Sequence, residues 1–381
     1  MVVAVEDEES KQQKKQKIST SSGAGQWGFD MEDEAEERLH HYWGGGDAMM
    51  MDGNGSDDPD TATLIKVDGV QPLDSHQDTY SMYVFRPQGS NTDIVSNEIL
   101  STKGWEPLSV YTHIGQLDAL ARELNVPRSE VFFIDIGANV GAFSLGAAAA
   151  GFSVIAIEAM TVNQLALSMS ICSNIGMAKS VTLLSVALGR ENHKCGVYSG
   201  RDNALDGNIR CDVDDAFAQE LVRKNMIKRQ DVDIVKLDDL LGEWMPRLKD
   251  RVGALKIDTE GFEPWVFEGA ERFLNTVRPR FMQLEVSTMS QEATNVTGWE
   301  MLSKLVGVGG GYELRESAFS RPIHPTDIII QEGRQVNVFL FSKVGNGGGS
   351  DGGANTNTNT NDERESEYNA GGVVDERQRR K

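Results

Sequence analysis

The residues predict an α/β fold on a doubly wound, mostly parallel sheet, and three observations predict it. Short apolar runs alternate with amphipathic segments, several runs end in an acid, and the first turns through glycines into a helix. That first run is Val131-Phe-Phe-Ile-Asp135-Ile-Gly137-Ala-Asn139-Val-Gly141. Continuous apolar character suits a strand covered on both faces, and a glycine turn opening a helix offers free backbone N–H groups to a ligand. Asn139 stands where a dinucleotide fingerprint needs its second glycine, the one that lets a pyrophosphate touch the backbone. The turn therefore suits a nucleoside without a pyrophosphate and argues against a nicotinamide oxidoreductase.

The elements follow in order. Residues 140–150 read as a small-residue helix, and Phe152 to Glu158 as a second strand. Glu158 lies about 20 residues past the turn, where α/β nucleotide folds place an acid on ribose hydroxyls. Residues 161–176 read as a helix with Thr161 as its cap and Gly176 as its stop. A third strand covers 181–187, and the polar stretch 188–211 reads as a hairpin or loops near the pocket. A helix is expected over 212–226, and a short strand over 232–241 running into Asp238-Asp239. Strands follow at 252–258 and 280–285, ending in Asp258 and Glu285. A last pair, 312–315 and 336–341, is separated by a loop carrying Arg321, His324 and Asp327, and its second member suits an antiparallel strand at the end of the sheet.

Composition frames this core. Residues 1–62 hold acidic clusters with little periodic apolar character and 345–381 are Gly, Asn, Thr and charge, so both read as disordered tails. Residues 63–130 read as an ordered extension covering one edge of the core or the pocket mouth, and 131–344 as the core domain. A net charge of −21 argues against a nucleic-acid backbone or an anionic membrane as partner. No apolar run approaches the length of a membrane span, and the acidic first decade is wrong for a targeting peptide. Cys172, Cys195 and Cys211 are odd in number and lack zinc-type spacing, so they read as reduced thiols of a cytoplasmic protein.

Ligands of open α/β sheets bind at the carboxyl ends of the strands, so Asp135, Glu158, Asp258 and Glu285 are expected around one crevice. Such a group suits cations or polyols rather than phosphates. In Lys256-Ile-Asp258-Thr-Glu260-Gly261-Phe-Glu263 the lysine is expected to pair with a neighbouring acid, because buried charges need partners. Glu263 fits the first turn of the next helix, and Asp258 and Glu260 are read as facing the acceptor.

Together, the Asp135-to-Gly141 turn, the Glu158 strand end, Leu237-Asp238-Asp239-Leu, the Lys256-to-Glu263 segment and Leu284-Glu285 resemble the FkbM-type methyltransferases over about 131–344. These are class I S-adenosylmethionine-dependent enzymes. The resemblance implies a seven-stranded Rossmann-like sheet and O-methylation of a sugar or other small-molecule hydroxyl. It also implies that Asp135, Gly137, Asn139 and Gly141 line the methionine end of S-adenosylmethionine, that Glu158 holds the ribose, and that residues after Val186 and Ala187 approach the adenine. Ala159-Met160 departs from the family's commoner proline after the acid.

Methyl transfer from a sulfonium needs chiefly an in-line, near-attack arrangement. For a hydroxyl acceptor a general base helps, and the candidates are Asp258, Glu260 and His324, in that order. A cation bridging Asp258 and Glu285 through hard oxygen ligands is a further option. The alternative function is a binding or scaffold protein that keeps the fold without the reaction.

Overall fold

The computed structural model describes residues 64–71, 79–86, 93–200, 207–308, 311–328 and 335–343. The tails expected over 1–62 and 345–381 lie outside these residues. Strands β1 (Leu64–Val70) and β2 (Tyr80–Phe85) pair antiparallel, and helices α1 (Ile94–Thr102) and α2 (Pro107–Leu124) follow. The core continues as β3 (Phe132–Ile136), α3 (Ala142–Ala149), β4 (Ser153–Ile157), α4 (Thr161–Ser173) and β5 (Val181–Leu184). Next come β6 (Ala187–Leu188), β7 (His193–Gly200), β8 (Asn208–Arg210), α5 (Asp215–Arg223) and β9 (Met226–Val235). Two one-turn helices, α6 (Leu237–Leu240) and α7 (Met245–Leu248), lead to β10 (Val252–Ile257), α8 (Glu263–Glu268), α9 (Glu271–Thr276) and β11 (Phe281–Ser287). The chain closes with α10 (Met289–Thr294), α11 (Gly298–Leu305), β12 (Tyr312–Arg315) and β13 (Gln335–Ser342).

Seven strands form the main sheet in the order β12-β13-β11-β10-β3-β4-β5. Strands β11, β10, β3, β4 and β5 run parallel, while β13 is antiparallel to both of its neighbours. The expected antiparallel last strand is therefore present, inserted between β11 and β12. Strand order reverses between β3 and β10, which opens a crevice at their carboxyl ends.

Strand alternation decides what each face carries. One face buries Phe132, Ile134, Leu255, Ile257, Met282 and Leu284 in a continuous apolar layer. On the other face Phe133, Ala254 and Phe281 stand side by side, and one step along each strand come Asp135, Lys256 and Gln283. Apolar packing thus gives way to polar side chains toward the carboxyl ends on one face only.

Helix α2 packs on this face. Gly253 lets α2 approach β10: a side chain there would meet the Cα of Leu117 at 3.0 Å. Leu117 is fully buried, a burial worth about 1.5–3 kcal/mol. One turn earlier His113 is enclosed edge-on by Phe133, Phe143 and Phe281, with Nδ1 on the Ser109 carbonyl. Burial, aided by the Lys256 charge, lowers its pKa from 6.5 to about 4. In the unfolded chain this histidine takes a proton near pH 6.5 that the folded chain refuses until near pH 4, so its contribution to stability is lost as pH falls across that window. His113→Phe is expected to shrink the acid loss of stability by about 3 kcal/mol, read from urea melts at pH 7 and pH 4.5. The buried carboxyls described below titrate in the opposite sense and are common to both chains. An unchanged acid limb would contradict the assignment.

Several local expectations are corrected. Thr161 is the first residue of α4, not its cap, because the chain turns at Met160, whose N–H is held by Glu158. Helix α4 ends at Asn174, while Gly176 opens a separate 3-10 turn. Asn225 turns the chain in the left-handed region, so α5 stops at Arg223 and β9 begins at Met226. Strand β9 joins β6, β7 and β8 in a second, four-stranded sheet rather than the main one. In that sheet Gly196 opposes Arg210, which sets Cys195 against Cys211 with their Cα atoms 4.4 Å apart, near the roughly 4.5 Å of a non-hydrogen-bonded antiparallel pair. These two form a disulfide; only Cys172 is a free thiol, and it is exposed. The pairing removes the thiol-based reason for expecting a reducing compartment. Among the described residues no helix is long and apolar enough to cross a membrane.

Candidate active site

The turn after β3 is built from residues that tolerate unusual backbone. Gly137, Asn139 and Gly141 have φ of 77, 52 and 90°, a region open to glycine and, among larger residues, most readily to asparagine. Gly137 sits so close to β10 that a Cβ would lie 1.8 Å from the Asp258 carbonyl oxygen. This contact joins the glycine turn to the segment that follows β10. Asn139 closes its own bend by accepting the Val140 N–H, at 2.7 Å.

Glu158 fastens the turn from β4. Its Oε2 accepts the Asn139 N–H at 2.8 Å, and its Oε1 accepts the Met160 N–H at 2.8 Å. Burial pushes the Glu158 carboxyl above its ordinary value, against the pull of those N–H groups. The Asn163 side chain bonds to the same carboxylate.

Asp135 ends the polar row on β3 and is 1% exposed. Its Oδ2 accepts the Ser144 hydroxyl at 2.6 Å, while Oδ1 is enclosed with no hydrogen-bond partner. Burial raises its pKa, opposed by the Lys256 charge and the Ser144 bond. Ala187, the adenine-side expectation, is buried in β6 within an apolar cluster that includes Met160, Val197 and Phe262.

Lys256 is buried and donates to Asp258 Oδ2 at 2.7 Å, so the expected pairing holds. Burial alone would lower its pKa, but the Asp258 and Asp135 carboxylates carry it above the ordinary lysine value. The ammonium therefore stays charged, also facing the ring of Phe143 at 4.9 Å.

Beyond Lys256 the chain enters the tight turn Asp258–Gly261. Glu263 occupies the first turn of α8 and is fully buried. Its Oε1 accepts from the Thr259 N–H at 2.7 Å, the Thr259 hydroxyl at 3.0 Å and the Gly261 N–H at 3.2 Å, and Oε2 accepts from Ser290 at 3.3 Å. Glu263 thus shapes the turn that presents Asp258 and Glu260. Glu260 is left-handed, φ 53°, and its Oε2 accepts from Gln335 Nε2 at 3.1 Å.

One carboxylate oxygen each of Asp258, Glu260 and Glu285 lies within 4.8 Å of the other two. Glu285 is partly buried as a residue, but its Oε1 is fully enclosed without a partner. Burial, with Asp258, Glu260 and Glu263 nearby, pushes its carboxyl well above the ordinary value. Glu285, Asp258 and Glu260 are therefore brought together. His324 is exposed, and its contacts are local: its ring meets the Thr326 hydroxyl at 2.9 Å and its N–H donates to Asp327 at 2.9 Å.

Residues 135–313 match the methyltransferase FkbM domain. The chain carries an FkbM methyltransferase domain. No curated protein sequence matches it. Among solved structures the methyltransferase domain is similar to methyltransferase FkbM from Methylobacillus flagellatus KT, at 15% identity and TM-score 0.33, covering 62% of this chain and 60% of that one. Precorrin-6y C5,15-methyltransferase from Geobacter metallireducens GS-15 is similar at 11% identity and TM-score 0.29, over 62% of this chain and 89% of that chain. The O-methyltransferase from Bacillus cereus, solved in complex with SAH, is similar at 11% identity and TM-score 0.32, over 65% and 90%.

Four residues of the candidate site escaped the sequence reading. Ser144 lies one helix face beyond the glycine turn, a placement that its spacing from Asp135 could have suggested. Gln335 bonds Glu260, Ser290 bonds Glu263, and Ser287 shares the Glu285 face of β11, placements set by the tertiary fold for which the local sequence carries no signal.

Proposed function

We propose that this methyltransferase uses S-adenosylmethionine and transfers the methyl group to a hydroxyl of a sugar or other small molecule. One observation carries the reading: the enclosed, unpartnered Oδ1 of Asp135 beside a glycine turn, across the β3–β10 crevice from a cluster of carboxylates. A buried carboxylate oxygen without a donor is costly, and a bound ammonium such as that of a methionine moiety would satisfy it. Asp135, Gly137, Asn139 and Gly141 would hold that end of the cofactor, and Glu158 the ribose hydroxyls. Bound S-adenosylmethionine supplies a methyl group already activated on a sulfonium sulfur.

The remaining work falls to the chain. Asp258 and Glu260 orient the acceptor hydroxyl and draw off its proton, which suits an acceptor with several hydroxyls and no phosphate. Lys256 holds Asp258 in place without entering the chemistry. Incubation with methyl-labelled cofactor and a pool of sugars and small alcohols tests the reading. Label recovered in a base-stable ether is expected. Cofactor binding with no label transferred to any hydroxyl in the pool would favour the scaffold alternative instead.

A further inference from the structure

We infer that Asp258, Glu260 and Glu285 bind a divalent cation with a preference for hard oxygen ligands, of the Mg2+ or Mn2+ kind. The three carboxylates come from the end of β10, the turn after it, and β11, and each offers an oxygen within 4.8 Å of the other two. Oxygens held by one such ion at about 2.0–2.6 Å lie within about 5 Å of each other.

A second observation points to a ligand here. The Ser287 hydroxyl is 3% exposed and has no partner. It stands two residues beyond Glu285 on the same face of β11. Directly opposite Ser287 on β13 is Gln335, whose amide donates to Glu260 Oε2 at 3.1 Å. Opposed residues share a face, so the orphaned hydroxyl lies on the side where Glu260 and Glu285 meet. Glu285 Oε1 adds a second enclosed acceptor with nothing bound to it. The nearby ammonium, Lys256, offsets one of the three charges through Asp258 Oδ2 and is shared with Asp135, which leaves the group anionic.

Cation binding stands on these residues alone; its use rests on the methyl-transfer reading. There the ion would hold the acceptor hydroxyl among the carboxylates and ease its deprotonation. The proton passes to a carboxylate, the O–C bond forms as the S–C bond breaks, and the sulfur leaves as a neutral thioether. An acceptor offering two adjacent oxygens would fit best.

The test is titration of the chelator-treated full chain with Mn2+, following the spin signal of the free ion. One saturable equivalent is expected, displaced by Mg2+, with binding weakened about tenfold or more in Glu285→Gln and in the more exposed Glu260→Gln. No saturable binding up to about 1 mM overturns the inference, as does binding as strong as the wild type's in both variants, which would place the ions on acidic residues elsewhere. S-adenosylhomocysteine is titrated into the same samples. Its retention without Mn2+ binding rejects the cation alone, whereas its loss rejects the methyl-transfer reading.

Discussion

A Gly137→Ala chain is expected to be less stable than the wild type by about 3–4 kcal/mol, and to lose cofactor binding with it. Two costs combine. The left-handed backbone, φ 77°, penalises any side chain by about 1–2 kcal/mol. The new methyl would also stand 1.8 Å from the Asp258 carbonyl oxygen, a backbone atom at the end of β10 that cannot rotate aside, and overpacking of this kind costs about 1–3 kcal/mol. Gly176→Ala separates the two, since φ there is 93° and nothing lies within 4 Å of the added atom. It should cost only the backbone share. Urea midpoints of both variants, at unchanged m, check this; equal losses would show that the β3 turn does not press on β10.

The second large effect is on turnover. Asp258→Asn keeps the shape and an oxygen for Lys256 but removes the carboxylate proposed to face the acceptor, and methyl transfer should fall about 10²–10⁴-fold. Affinity for S-adenosylhomocysteine should stay within about threefold, because the donor-side acids Asp135 and Glu158 are untouched. The variant should fold, since Lys256 keeps Asp135 as a counter-charge and Asp258 is about one-third exposed, at 33% for its side chain. Single-turnover rates beside calorimetric affinities separate the two quantities. Turnover within a few-fold of wild type would move the chemistry away from the end of β10.

Much of the main sheet was legible because β3, β4, β10 and β11 are short, apolar and carry an acid at or near their carboxyl ends. The runs around Asp135, Glu158, Asp258 and Glu285 carry both the parallel-strand signal and the position of the crevice. The pairing of Lys256 followed from the cost of an isolated buried charge. What could not be read depends on long-range register. The opposition of Cys195 and Cys211 exists only once β7 and β8 are paired, and the reach of Gln335 to Glu260 only once β13 inserts beside β11. Thr161 misled because a distant carboxylate, Glu158, holds the Met160 N–H where the chain turns, so the polar residue beside the turn is not the cap. The second sheet was hidden for a related reason: only the apolar end of β9, Val232 to Val235, reads as a strand, and its pairing with the hairpin is long-range.

In the proposed reaction the crevice has a donor side, set by β3 and β4, and an acceptor side, set by β10 and β11. Calorimetric titration of S-adenosylhomocysteine into the wild type, Glu158→Ala and Asp258→Asn, each checked for folding by circular dichroism, tests that division most directly. Saturable binding in the wild type and Asp258→Asn but not in Glu158→Ala is the predicted result. Undiminished binding by a folded Glu158→Ala chain would contradict it.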